Sequence, residues 1–181
     1  LLEAMQEKKV SAGGDDYKLD PPFFVLATQN PLEQEGTYSL PEAQLDRFMF
    51  KINVDYPSFD EEIDIMKSVT SGVTNAMNSV IKKAEILRMQ DVVSNIHVTP
   101  HLYQYVATLV RNTRPDEENS IDAVKNYVSW GCGPRACLNL ITGAKARAAL
   151  HGNVNVSLDD IKAIAKPVLR HRMGLNFLAQ S

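Results

Sequence analysis

Three polar side chains stand where their types and spacing could act on an anion: Asn30, Arg47 and Arg135. Asn30 follows the continuous apolar run Phe23-Phe24-Val25-Leu26-Ala27-Thr28 and precedes Pro31. The run has strand length and is apolar on both faces, which suits a central parallel strand. Its carboxyl end is where open α/β sheets place ligands, so the Asn30 amide can donate to a phosphate oxygen or orient a water there. Taken alone, Asn-Pro is also a common turn start, and that reading has the larger share. Arg47 lies at the end of a short helix, between Asp46 and Phe48. A permanently charged, planar fork at that place can reach an anion or complement the helix dipole, and by itself the dipole role is the simpler one. Arg135 is different, because it sits beside Pro134 in the first turn of a helix, where a cation opposes the dipole. An anion bound near that helix end would supply the reason for it.

Other chemistries find less support. Cys132 and Cys137 have no second pair to complete a four-ligand zinc site, and two thiols in a reducing cytoplasm is the better reading. His97 and His101 are separated by Pro100 and lack an HExxH pattern, so they read as surface histidines at a helix start. The 181 residues carry 19 basic and 22 acidic side chains for a formal charge of −3, with 44% hydrophobic residues. That is one or two ordinary globular domains, and it disfavours a protein that coats nucleic acid by charge alone. The longest purely apolar stretch, Phe23 to Ala27, is far short of the roughly 20 residues that cross a bilayer as a helix. The first residues, Leu1-Leu2-Glu3-Ala4, have no initiator Met and no leader pattern, and read as the tail of a helix in a piece of something longer.

The elements that must position these residues follow from periodicity. Residues 10 to 22, with Gly13-Gly14-Asp15 inside, predict a small hairpin or a mobile loop. Ser39, Pro41 and Glu42 have the spacing of a capped helix start, and that short helix should run to about Phe48. Phe50, Ile52 and Val54 alternate with Met49, Lys51 and Asn53, which predicts a second strand over 49–54. After Pro57 the period becomes 3.6. Ser58 and Glu61 form a capping box ahead of Phe59, Ile63 and Met66, and Ile86, Met89, Val93 and Ile96 make another stripe. A helix from Thr99-Pro100 turns Leu102, Val106, Leu109 and Val110 inward, and Arg114 to Ser120 is a loop. One from Pro134 buries Cys137, Leu140, Ile141, Ala144 and Ala148. The last starts at Ser157 with Asp160 three residues on, buries Ile161, Ile164, Ala165, Val168 and Leu169, and should kink at Pro167. Four or five amphipathic helices with short loops make a bundle. Tyr38 and Trp130 read as packing aromatics, and Arg170-His171-Arg172 as a solvated helix end.

Asparagine after a strand, arginine after a short helix and arginine opening a bundle helix are more specific jointly than singly. Residues 24–48, Phe-Val-Leu-Ala-Thr-Gln-Asn-Pro-Leu-Glu-Gln-Glu-Gly-Thr-Tyr-Ser-Leu-Pro-Glu-Ala-Gln-Leu-Asp-Arg-Phe, resemble the signature of the MoxR-type AAA+ ATPases. Gly133-Pro134-Arg135-Ala136 is similar to their sensor-2 motif, and Pro167 to Arg172 to the close of their lid domain. The resemblance covers nearly the whole chain. It implies an α/β segment followed by an all-α one, predominantly α overall: residues 1–56 as the C-terminal part of a AAA+ core, and 57–181 as a helical lid. It further implies that Asn30 is sensor 1, Arg47 an arginine finger for the neighbouring subunit, and Arg135 sensor 2. Val10 to Leu19 would be a pore-facing hairpin. ATP and Mg2+ would be the cofactors, and a ring, often a hexamer, the assembly. Protein clients, commonly with a von Willebrand factor A domain, would be the partners in the cytoplasm, with nucleic acid and a membrane span not expected.

The departures are as informative. No G-x-x-x-x-G-K-[ST] occurs, and no apolar strand ends in Asp-Glu to hold magnesium, so this chain by itself is not expected to hydrolyse ATP. The two expected strands would lack their usual neighbours in such a core, which predicts unusual pairing, pairing with another copy, or poor order. A magnesium-chelatase-like or helicase-loader subunit is the alternative within the superfamily. The rival from another class is a helical adaptor that binds a protein without nucleotide, its Asn30, Arg47 and Arg135 being cap and surface residues. The Gln34-Glu35-Gly36-Thr37-Tyr38 block favours the MoxR type.

Overall fold

Gly13 and Gly14 both take left-handed backbone, with φ of 65° and 94°, the conformation that a two-residue hairpin turn demands and that a Cβ resists. They join β1 (Lys9–Ala12) to β2 (Asp15–Lys18), antiparallel, with Ala12 paired to Asp15 across the turn. Helix α1 (Leu2–Glu7) leads into this hairpin, and Glu3 and Asp16 both approach the Ser11 hydroxyl, at 2.5 and 2.6 Å. Of the two readings of residues 10–22, the hairpin is the one found. The computed structural model describes residues 2–29, 40–71 and 78–179.

Neither expected strand forms. Residues 23–29 and 50–57 run without secondary structure and join no strand ladder among the described residues, leaving Phe24, Leu26, Ile52 and Val54 exposed. An apolar alternation states which side chains seek cover, but a strand exists only where a partner accepts its backbone hydrogen bonds.

The helical part follows the caps. In α3 (Phe59–Thr70) the Ser58 side chain and Glu61 close the capping box, yet the helix buries none of its residues, so the Phe59–Ile63–Met66 stripe finds no core. After α4 (Lys83–Asn95), α5 (Pro100–Arg111) begins on its proline, buries Leu102, Val106 and Val110, and ends before turns over 112–119. A short α6 (Asp122–Tyr127) and β3 (Val128–Trp130) precede the long α7 (Pro134–Leu150). Helix α8 (Leu158–Leu169) opens on the Ser157–Asp160 capping box and remains helical through Pro167 for two further residues. The chain then returns as β4 (Gly174–Leu175), antiparallel to β3, and finishes in a 3₁₀ turn, Phe177–Ala179. Trp130 packs against Gly174, where a Cβ would come within 2.0 Å of the indole nitrogen.

One core joins these helices: Ile96, Val98, Leu102, Val106 and Val110 against Ala136, Leu140, Ala144 and Ala148 of α7 and Ile161 and Val168 of α8. Ala136, Ala144 and Ala148 share one four-residue row with Leu140, so α7 presents a mostly low ridge that α5 and α8 can approach closely. Gly143 continues that economy of volume; a Cβ there would meet Ile164 Cδ1 at 2.7 Å and Phe50 Cζ at 3.2 Å. The missing side chain seats both α8 and the segment around Phe50 on α7. Asp160 is buried at the start of α8. Burial pushes its carboxyl upward, but the Ser157 hydroxyl and amide and Arg147 outweigh that and hold it below the usual value. Among the described residues no helix is long and apolar enough to cross a membrane.

Candidate functional site

The short helix α2 (Glu42–Leu45) follows Pro41 without a side-chain cap. It stops at Leu45 rather than running to about Phe48, because Arg47 N–H and Phe48 N–H turn back to carbonyls three residues earlier, Gln44 and Leu45. Past that end, the carbonyls of Asp46, Phe48 and Met49 are taken by the Arg172 guanidinium beyond the end of α8.

Arg172 is 1% exposed and finds an acceptor for every donor. Its Nε donates to Asp46 Oδ1 at 3.0 Å, and Nη2 to the carbonyls of Asp46 and Phe48 at 2.8 and 2.5 Å. Its Nη1 donates to the Met49 carbonyl at 3.2 Å and to that of Val168. An arginine fork has five N–H donors, and all five are used. Such saturation is what allows a cation to be buried. Burial still lowers the Arg172 pKa from its ordinary value, with the Asp46 charge opposing the shift. Beside it His171 Nε2 donates to the Phe48 carbonyl at 2.9 Å, and burial depresses the imidazole pKa, favouring the neutral ring. Lys51 N–H adds a bond to the Pro167 carbonyl at 2.9 Å. The expected solvated cluster Arg170-His171-Arg172 is therefore corrected: only Arg170 is exposed, and its two neighbours clamp residues 46–49 onto α8.

The clamp sets the geometry of the two arginines singled out by the sequence. Asp46 offers its second oxygen, Oδ2, to Arg135 Nη1 at 2.9 Å. Arg135 is thereby brought to the residue adjoining Arg47. Its side chain remains 49% exposed, against 1% for Arg172. Arg47 is half-buried, and its Nε and Nη1 are buried with no hydrogen-bond partner among the described residues. Asn30, the third residue of the set, and Tyr38 lie outside the described residues.

The first turn of α7 is held by the loop before it. Cys132 N–H donates to Thr113 Oγ1 at 2.9 Å, and Arg114 Nε to the Cys132 carbonyl at 3.1 Å. Gly131 lies so close to the Thr113 backbone that a Cβ would sit 2.4 Å from its carbonyl oxygen. These contacts fix where Pro134 starts the helix and hence where Arg135 emerges. Burial raises the pKa of both thiols, Cys132 and Cys137. Among the described residues no group of three or more His, Cys, Asp or Glu is placed to hold a metal ion.

Two members of this constellation escaped the sequence reading, Asp46 and Arg172. The signal for Arg172 was present: it falls four residues after Val168, on the stripe of Ile161, Ile164 and Ala165. An arginine continuing an apolar stripe is a candidate for burial with partners rather than for solvent.

Residues 1–50 match a family described as the ATPase family associated with various cellular activities (AAA), and residues 121–181 match the AAA lid domain. The chain is 43% identical to the chaperone MoxR1 of Mycobacterium tuberculosis over 98% of its own length and 47% of that protein's. It is 41% identical to the uncharacterized protein YeaC of Bacillus subtilis over 97% of its length and 52% of that protein's. The chain thus spans about half the length of the curated relatives it matches. A crystal structure from Cytophaga hutchinsonii, assigned as an ATPase, superposes with a TM-score of 0.91 at 40% identity, covering 99% of this chain and 55% of that one.

Proposed function

The chain belongs to the MoxR-type AAA+ ATPase family, and from that premise we propose that it carries the charge-sensing residues of an ATP-driven machine that remodels or matures protein partners. Residues 1–56 serve as the end of the nucleotide-binding core and 57–181 as its lid. ATP, when bound, supplies the phosphoryl group and the negative charge. Arg135 binds that charge from the lid side within the same subunit. Arg47 stabilises the charge that develops in a neighbouring subunit's site. Asn30 orients the attacking water or touches the terminal phosphate. No phosphate-binding loop occurs among the 181 residues, so the phosphate cradle and the magnesium ligands come from outside this chain, which alone does not turn over ATP.

The observation that carries this reading is the contrast between two neighbouring guanidinium groups. Arg172 has every donor satisfied, whereas Arg47 holds two buried N–H-bearing nitrogens without a partner among the described residues. A buried donor left unmade costs about 1–3 kcal/mol, more for a charged group. Such a cost is retained where an acceptor arrives from elsewhere, and a triphosphate at a subunit boundary is one. The assembly is a ring of like subunits, a hexamer, working in the cytoplasm on protein clients that include von Willebrand factor A domains.

The test is Arg47→Ala in the full-length protein, with oligomer mass by light scattering and steady-state ATP turnover. Finger arginines contribute roughly 10³- to 10⁵-fold, or about 4–7 kcal/mol. Turnover should fall by that order, and Arg47→Lys should restore little of it because a point charge cannot reproduce the fork. Undiminished turnover in an intact ring refutes the assignment.

A further inference from the structure

The Asp46 carboxylate is shared unequally. Through Oδ1 it meets Arg172, which is buried and held by four carbonyls besides; through Oδ2 it meets Arg135, whose side chain is half exposed. If Arg135 leaves, Asp46 keeps a charged partner, so its departure strands no buried charge. If Arg172 left, four carbonyls and the carboxylate would lose their donors together. The pair with Arg135 is therefore the one that can open.

We infer that Asp46 is a positioning residue: its Oδ2 holds Arg135 against segment 46–49, and a triphosphate competes with that oxygen for the Arg135 guanidinium. The inference rests on the reading of Arg135 as a nucleotide-binding residue. Asp46 is thus an internal anion in competition with the phosphate. It is also the peptide neighbour of Arg47, so the exchange reaches the backbone that carries the residue facing the adjoining subunit. Charge arriving at Arg135 would remove one tie between lid and segment, while the Arg172, His171 and Lys51 contacts keep the others. An exposed ion pair of this kind is weak, which limits the competition to about two- to five-fold in affinity.

The experiment is a double-mutant cycle in the full-length protein, measuring by calorimetry the affinity for a non-hydrolysable ATP analogue. Asp46→Asn removes the charge but keeps an acceptor for Arg172 Nε, and should tighten binding about two- to five-fold. Arg135→Ala should weaken binding, and adding Asp46→Asn to it should change nothing further, because the competitor then has nothing to withhold. Equal or weaker binding by Asp46→Asn, alongside a clear loss in Arg135→Ala, overturns the competition and leaves the Arg135 assignment standing. No loss in Arg135→Ala removes that assignment, and the competition with it. Asp46→Ser provides a second variant; if neither folds, segment 46–49 depends on the Asp46 charge itself, and the proposal is refuted.

Discussion

Replacing Arg172 by Met isolates what the clamp contributes. Methionine keeps an unbranched chain in the same space and removes all five donors. It leaves the carbonyls of Asp46, Phe48, Met49 and Val168 without that partner, and Asp46 with Arg135 alone. A hydrogen bond to a charged group is worth about 1.5–3 kcal/mol, but five on one fork do not add. Loss of one partner of a buried ion pair, about 3–5 kcal/mol, is the better guide. For a chain of this size each kcal/mol moves the melting temperature by about 2–4 °C, so the expected drop is about 6–20 °C. Because Arg172 ties one segment to one helix end, the loss should appear first as local opening. Hydrogen exchange resolves that from global unfolding: the Lys51 amide, bonded to the Pro167 carbonyl at 2.9 Å, should lose protection while Leu140 and Ala144 in α7 keep theirs. Arg172→Lys should recover less than half of the loss, since an ammonium has three donors and no fork. A melting temperature within about 1 °C of the parent protein, with unchanged exchange over residues 46–51, would refute the clamp.

Two further perturbations probe the same region. His171 has its pKa depressed by burial below the ordinary 6.5, with the Phe48 carbonyl opposing and Arg172 reinforcing the shift. A depressed folded pKa means that the neutral ring's contribution is fully present above about 6.5 and is lost as pH falls from there through the folded value. His171→Gln keeps a neutral donor, so its melting temperature should decline less between pH 7 and pH 5 than the parent's; parallel declines would show that this ring does not titrate in the way described. Gly131→Ala places a methyl group 2.4 Å from the Thr113 carbonyl oxygen and 2.7 Å from Arg114 Cα, backbone atoms that cannot turn aside. It should cost about 1–3 kcal/mol, whereas Gly133→Ala, with nothing within 4 Å, should cost far less. Equal stability of the two variants in denaturant titration would contradict the packing argument.

What could be read without coordinates was local. The Ser58 and Ser157 caps, the proline starts of α5 and α7, and the inward faces Leu102–Val106–Val110 and Leu140–Ala144–Ala148 all rest on spacings of three or four residues, and all are present. Helix α6 and strands β3 and β4 were missed because six, three and two residues are too few to display a period. The apolar runs at 23–28 and 49–54 carry a strand pattern without the neighbours already expected to be missing, and the α3 stripe forms its helix without a buried face, since hydrophobicity records a demand for cover and not its provider. At the site, Arg135 stood out because a cation in a first helical turn breaks a local rule. Its partner Asp46 is 89 residues away, and Arg172 meets that same carboxylate across 126. Bonds of that span leave no trace in local spacing.

The Arg172 clamp grips main-chain oxygens more than side chains. Every amino acid carries a carbonyl, so positions 48 and 49 can drift widely in type and still be gripped, provided their backbone keeps its path. Position 172 has no such latitude, because no other side chain offers a five-pronged planar donor. Mutational scanning across this contact should therefore look lopsided, with a tolerant stretch on one side facing a single intolerant residue on the other.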